Sequence, residues 1–100
     1  MIVRIREEAE AELEAAFDYY QARRPGLGHA LLDDYVHATR AIAQHPVRSP
    51  VDTYAERARR CRLTNFPYSV IYQVLSDHCI VIALAHHSRR PGYRKDRLVR

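Results

Sequence analysis

Six side chains in the second half of this chain are of types that work on phosphate esters: Arg60, Arg62, His86, His87, Arg90 and Tyr93. Metal-free cleavage of RNA uses the 2′-hydroxyl as nucleophile. It needs a base for that proton, cations for the crowded phosphate and an acid for the leaving oxygen. Imidazole, guanidinium and phenol can fill those roles, so all six are candidates; only if the chain is a ribonuclease are His86, Tyr93 and Arg90 the expected catalytic set. The competing role for each histidine is structural, an imidazole held by a hydrogen bond at a strand end. Neighbours in a strand point to opposite faces, so one of His86 and His87 turns toward the core side and the other outward. The adjacent pair lacks the spacing of a helical metal site, and Cys61 and Cys79 have no CxxC or Cys/His partner pattern, so neither a metal nor a cofactor is expected.

Charge around these residues is segregated. Residues 86 to 100 carry Arg89, Arg90, Arg94, Lys95, Arg97 and Arg100 against Asp96 alone, and Arg57, Arg59, Arg60 and Arg62 add a second basic segment. Glu7, Glu8, Glu10, Glu12, Glu14 and Asp18 form an acidic block, which the overall charge of +4 conceals. A basic block of this kind is a footprint for nucleic acid or for an acidic protein partner; a solvated arginine-rich face is the alternative. Arg60, Arg62, Arg89, Arg90, Tyr93, Arg94 and Arg97 are the candidate target- or partner-binding residues. Of seven tyrosines, Tyr19, Tyr20 and Tyr35 fall in helical patterns and read as packing, Tyr68 and Tyr72 share one strand face, and only Tyr93 lies among cations beyond the last strand.

The elements that must position these groups are readable from periodicity. Ile2, Val3 and Ile5 begin a short strand, and the acidic block then opens a helix near Glu7, where the macrodipole favours negative charge. Ala9, Leu13, Ala16, Phe17 and Tyr20 recur at three- and four-residue intervals on one face. Arg24-Pro25-Gly26-Leu27-Gly28 turns the chain back. A second helix follows to about His45, with Leu31, Leu32, Tyr35, Val36, Thr39, Ile42 and Ala43 as its stripe, and Pro46 ends it. Val47 to Glu56 reads as a loop. From Arg57 the period changes to two, with Cys61 and Leu63 facing the helices and Arg60, Arg62 and Thr64 facing away. Pro67 opens a strand through Tyr68, Val70, Tyr72 and Val74. Ser76-Asp77-His78 turns into Cys79 to Ala85, whose unbroken apolar run marks a strand buried on both faces at the sheet centre.

At 100 residues the chain is expected to form one domain, 1–100, with a single modest core. The apolar share of 47% and charged share of 28% are those of a soluble globular protein. No apolar run approaches the ~18 residues of a membrane span, and the first residues lack a signal peptide's pattern, so a cytoplasmic location without membrane partners is the expectation. The two cysteines read as buried reduced thiols, with a disulfide between neighbouring strands as the alternative. The expected fold class is α+β: an N-terminal strand, an antiparallel helical hairpin packed on one face of a mostly antiparallel sheet, and a basic C-terminal tail.

The hairpin broken at Arg24-Pro25-Gly26-Leu27-Gly28, the strand Phe66-Pro67-Tyr68-Ser69-Val70-Ile71-Tyr72, and the ending His86, Arg89, Arg90, Pro91, Gly92, Tyr93, Arg97 together resemble the RelE/ParE superfamily of type II toxin–antitoxin toxins, over nearly the whole chain. The resemblance implies a bacterial toxin neutralised by a cognate antitoxin, with a higher-order toxin–antitoxin complex among its expected assemblies. ParE-like members of the superfamily poison DNA gyrase, and RelE-like members cut messenger RNA on the ribosome. Ribonuclease relatives usually carry an arginine immediately before the two aliphatics and tyrosine of the middle strand, where this sequence has Ser69, and serine cannot stabilise phosphate charge as guanidinium does. Relatives with this ending often have tryptophan at the position of Arg94. The ParE-like reading, a gyrase inhibitor without catalysis of its own, therefore leads. The alternatives are a metal-independent ribosome-dependent mRNA endoribonuclease and a domain that retains only antitoxin binding.

Overall fold

The computed structural model describes residues 1–53, 55, 57–88 and 96–99. Strand β1 (Ile2–Ile5) leads into α1 (Glu7–Arg23) and α2 (Leu27–Gln44), followed by β2 (Arg59–Arg62), β3 (Tyr68–Val74) and β4 (His78–His86). The sheet order is β1-β4-β3-β2. β2, β3 and β4 are joined antiparallel, whereas β1 lies parallel to β4, and the helical hairpin with the segment after it carries the chain from β1 at one edge of the sheet to β2 at the other. This is the α+β arrangement that the sequence predicts, with β3 and β4 in the interior of the sheet.

α1 begins with no side-chain cap, and Glu7, Glu8 and Glu10 in its first turn supply the negative charge its N-terminus favours. The turn into α2 depends on Gly26 at φ 94°, a left-handed conformation that L side chains rarely adopt. Gln21 holds that turn closed: its Oε1 accepts the Gly26 and Gly28 N–H groups, each at 3.1 Å. Gly28 is needed for a different reason. A Cβ there would sit 2.8 Å from both the Phe17 ring and the Phe17 carbonyl oxygen.

Leu31, Ala38 and Ile42 of α2 join Ala9 and Ala16 of α1 over Val70, Tyr72, Cys79, Val81 and Leu84 of the sheet. The α2 stripe is rotated from the one expected: Val36 is 42% exposed, while Asp34 is buried. The burial of Asp34 has a clear cause. Its carboxylate accepts the N–H groups of Thr64 (3.2 Å) and Asn65 (2.8 Å), pinning the β2–β3 turn to the helix layer. Tyr19 also departs from the packing role, at 53% exposed.

The second sheet face is covered too. Ile71, Ile82, Ala83 and Ala85 pack with Ala55, Ala58 and the half-buried Leu98, so the C-terminal segment lies against the face opposite the helices. β4 serves both cores by means of a bulge. Ile71 pairs with Ala83 but Tyr72 with Val81, leaving Ile82 as the extra residue. Cys79 and Val81 before it, and Leu84 after it, all reach the helix side. Cys61 and Cys79 are free, on strands separated by β3, which leaves no neighbouring-strand disulfide; Cys79 is buried as expected, whereas Cys61 on the edge strand is only half-buried.

Gly28→Ala is expected to lower stability by about 1–3 kcal/mol through overpacking against Phe17, although alanine is the better helix former by about 1 kcal/mol. Urea unfolding reads the result; a variant as stable as the parent would show that the Phe17 backbone yields freely.

Candidate functional site

Cross-strand register places the cations. Arg60 lies opposite Ile71 and Arg62 opposite Ser69, so both project on the face away from the helices. His87, just past β4, is carried to the same face: its Nε2 is 3.1 Å from Ser69 Oγ. Ser69 itself is 2% exposed. The resulting group is Arg60, Arg62, Ser69 and His87. Arg62 is exposed, and the buried Arg60 Nε has no hydrogen-bond partner among the described residues.

Electrostatics of this face favour a neutral imidazole. Burial lowers the His87 pKa below its usual value, Arg62 adds to that, and His86 and Arg60 contribute less; a backbone hydrogen bond at Tyr68 acts in the opposite direction. The part of that shift due to Arg62, Arg60 and His86 is one an anion would relieve.

His86 is on the other side. Its ring meets Tyr68 edge-on at 4.9 Å, beside Ala15, Ala16 and Tyr19 of α1 in a groove of about 320 Å³. The His86 Nδ1 accepts the Ser88 N–H at 3.0 Å and lies 2.7 Å from Ser88 Oγ, so in the neutral ring the proton is on Nε2. Tyr68 is pushed up to about 12, chiefly by burial and then by Tyr20. The sheet thus divides the two adjacent histidines, bringing His87 and not His86 to Arg60 and Arg62.

Arg97 is tied into the framework. Its Nη1 lies 2.7 Å from Glu12 Oε1 and donates to the Ile82 carbonyl at 3.1 Å, while the Leu84 N–H donates to the same Glu12 oxygen at 3.2 Å. Val99 is held by Gln73, whose Oε1 accepts the Val99 N–H at 2.6 Å and whose Nε2 donates to its carbonyl at 3.2 Å. Arg89, Arg90, Tyr93 and Arg94 lie outside the described residues. Among the described residues no cluster of three or more His, Cys, Asp or Glu side chains is placed to hold a metal.

Sequence reasoning missed the Ser69–His87 pair and the Glu12–Arg97 pair. The first depends on cross-strand register, the second on a contact between residues 85 apart. No local pattern announces either one.

A helical hairpin on one side of a four-stranded sheet, with cations on the other side, makes this a small two-layer α+β protein. A family model described as the ParE toxin of type II toxin–antitoxin system, parDE, matches residues 3–91, and the chain belongs to that family. Among solved structures it is similar to a chain of the chromosomal ParDE TA system from P. aeruginosa, at a TM-score of 0.77 and 18% identity, covering 86% of this chain and 95% of that one. That likeness is one of fold. No curated protein matches the sequence.

Two variants test the electrostatics. Glu12→Ala removes the carboxylate that accepts from both Arg97 and the Leu84 N–H, at side-chain exposures of only 17% and 15% for Arg97 and Glu12 in the parent. A stability loss of about 2–4 kcal/mol is expected in urea unfolding; a change within error would mean that solvent replaces the pair. For His87, the depressed folded pKa means the unfolded chain binds the extra proton first. Its contribution is full above the ordinary value of 6.5 and is lost as pH falls through the folded pKa. Stability should rise with pH across that window more steeply in the parent than in His87→Gln; equal slopes would contradict the assignment.

Proposed function

We propose that this chain is the toxin of a parDE-type module, a single domain over residues 1–100 acting in the cytoplasm, neutralised by a cognate antitoxin and inhibiting DNA gyrase without chemistry of its own. The observation that carries the non-catalytic reading is Ser69. The position where ribonuclease relatives carry arginine holds a buried, neutral side chain engaged with His87. A serine hydroxyl there supplies no charge for a pentacovalent phosphate. His86, packed against Tyr68 on the helix side, is separated by the sheet from Arg60 and Arg62. The exposed Arg62 and His87 beside Arg60, at the margin of the covered second face, suit binding of a macromolecule through electrostatic complementarity.

A ribonuclease reading has one observation in its favour. Burial and then Arg62 lower the His87 pKa, which favours the neutral imidazole that a general base requires.

Pulse-labelled DNA and protein synthesis within minutes of inducing the chain in a bacterial host separates the two. DNA synthesis falling first is the expected result, and Arg60→Gln with Arg62→Gln should blunt it. Protein synthesis collapsing first, with the collapse lost in His87→Ala, would install the ribonuclease reading. Truncation after Ser88 is a poor substitute, because Arg97, Leu98 and Val99 help close the second core.

A further inference from the structure

Among the described residues the half-buried arginines are Arg6, Arg59, Arg60 and Arg97. Arg6 is paired with Glu8 and Arg97 with Glu12, while Arg59 donates to the Val47 and Ser49 carbonyls at 3.1 and 2.7 Å. Arg60 differs. It has no acceptor among the described residues, and its Nε is shut off from water without a hydrogen-bond partner. Taking a guanidinium nitrogen out of water with nothing in exchange is unfavourable. It also leaves the charge poorly screened toward whatever approaches the outer nitrogens.

The neighbours of Arg60 add to that charge. Arg62 follows on the same strand face, two residues and so ~6.6–6.8 Å further along, and it is exposed. His87, also exposed, has its Nε2 3.1 Å from Ser69 Oγ. The charges that act on His87 are Arg62 and Arg60 from β2 and His86 from β4, with no carboxylate beside them. Two arginine side chains at this spacing are long enough to close on one group between them, with the imidazole alongside.

We propose that Arg60, Arg62 and His87 form a binding site for a phosphomonoester dianion, with Ser69 holding the His87 ring in place. The choice of ligand follows from counting charges and oxygens. A carboxylate or a phosphodiester carries one negative charge and two free oxygens, so a single bidentate guanidinium satisfies it and the second arginine stays unmatched. A phosphomonoester near neutral pH carries close to two charges and presents three acceptor oxygens. Two of them meet the guanidinium groups and the third meets the imidazole, whose proton uptake the dianion favours. The same terminus occurs on free phosphate or a nucleotide and at the 5′ end of a nucleic-acid strand. The site shares its arginines with the face assigned above to the target, so a bound phosphate would compete there. It stands on the geometry of β2 and His87 and does not need the toxin reading.

The His87 Cε1 proton is followed by NMR from about pH 5 to 8 on the full chain, in phosphate, sulfate or dimethyl phosphate, each against chloride at equal ionic strength. Sulfate stays doubly charged throughout and so separates the titration of His87 from that of the ligand. Phosphate and sulfate should raise the His87 pKa and bind at least about tenfold tighter than dimethyl phosphate. Arg60→Gln and Arg62→Gln should each weaken phosphate about tenfold, and Arg48→Gln, at an exposed arginine outside the site, should leave it unchanged. Arg62 is exposed, so Arg62→Gln keeps the test valid should Arg60→Gln unfold. Short oligodeoxynucleotides with and without a 5′-phosphate then identify the source. Tighter binding of the phosphorylated strand than of inorganic phosphate gives the site to strand ends, and equal affinity gives it to free phosphate. Phosphate and sulfate acting no more strongly than chloride would overturn the proposal, as an adventitious ion only. Dimethyl phosphate binding as tightly as phosphate, or affinity unmoved in both arginine variants, would overturn it too. Growth arrest on induction is scored separately: its absence would remove the toxin reading and leave this site standing.

Discussion

β4 needs partners on four sides, and most of the structure is the means of supplying them. Both of its faces are buried from Cys79 to Ala85 except at Ile80, which is half-buried. β3 covers one edge along its length, but β1 reaches only from His78 to Val81 on the other. Beyond Val81 the strand would present a bare edge beside α1. Glu12 and Arg97 stand in for the missing strand there, the carboxylate accepting the Leu84 N–H and the guanidinium donating to the Ile82 carbonyl. An ion pair with exposures of 15% and 17% contributes little net stability by itself. Its importance is that each partner also satisfies a backbone group that burial would otherwise leave unpaired. This one contact joins α1, β4 and the C-terminal segment.

The bulge at Ile82 has consequences beyond packing. Without it, strict alternation from Cys79 and Val81 would carry His87 to the helix side and His86 outward. The extra residue reverses that. His86 enters the aromatic corner with Tyr68, and His87 reaches Ser69 and the arginines of β2. The composition of the cationic face is thus set five residues upstream by a backbone irregularity. Gln73, two residues beyond Ile71 on that face, uses both ends of its amide to hold the Val99 backbone and so fixes the segment that lies over the second core.

What could be read from sequence was whatever depends on local period. The helix start at Glu7, the break at Gly26, the end before Pro46 and the alternation of Cys61 and Leu63 against Arg60 and Arg62 all follow from spacing and backbone chemistry. The rotation of α2 was not legible, because Asp34 looks like a surface residue until Thr64 and Asn65 are brought to it. The second core was not legible either. Ala55, Ala58 and Leu98 carry no pattern that marks them as a lid over Ile71 and Ile82. Of the candidate site, the residue types were visible but their grouping was not, since adjacency of His86 and His87 says nothing about which one a bulge will turn toward Arg62.

Charge segregation along the chain becomes segregation between layers. The acidic row of α1 borders a groove on the helix side, and the cations of β2 lie on the opposite face of the sheet. A helix packs on a sheet at roughly 10 Å, comparable to other layer spacings in small domains. A partner docked on the helix layer is therefore too far away to screen Arg60 and Arg62 by contact, and a distance of about one Debye length at physiological salt weakens screening through space. Under the toxin reading, neutralisation then requires the partner to do more than dock. It must either extend around a sheet edge to cover the cationic face or occlude the target by its bulk. The edge beyond β2 is the shorter route, because Arg60 and Arg62 belong to the outermost strand.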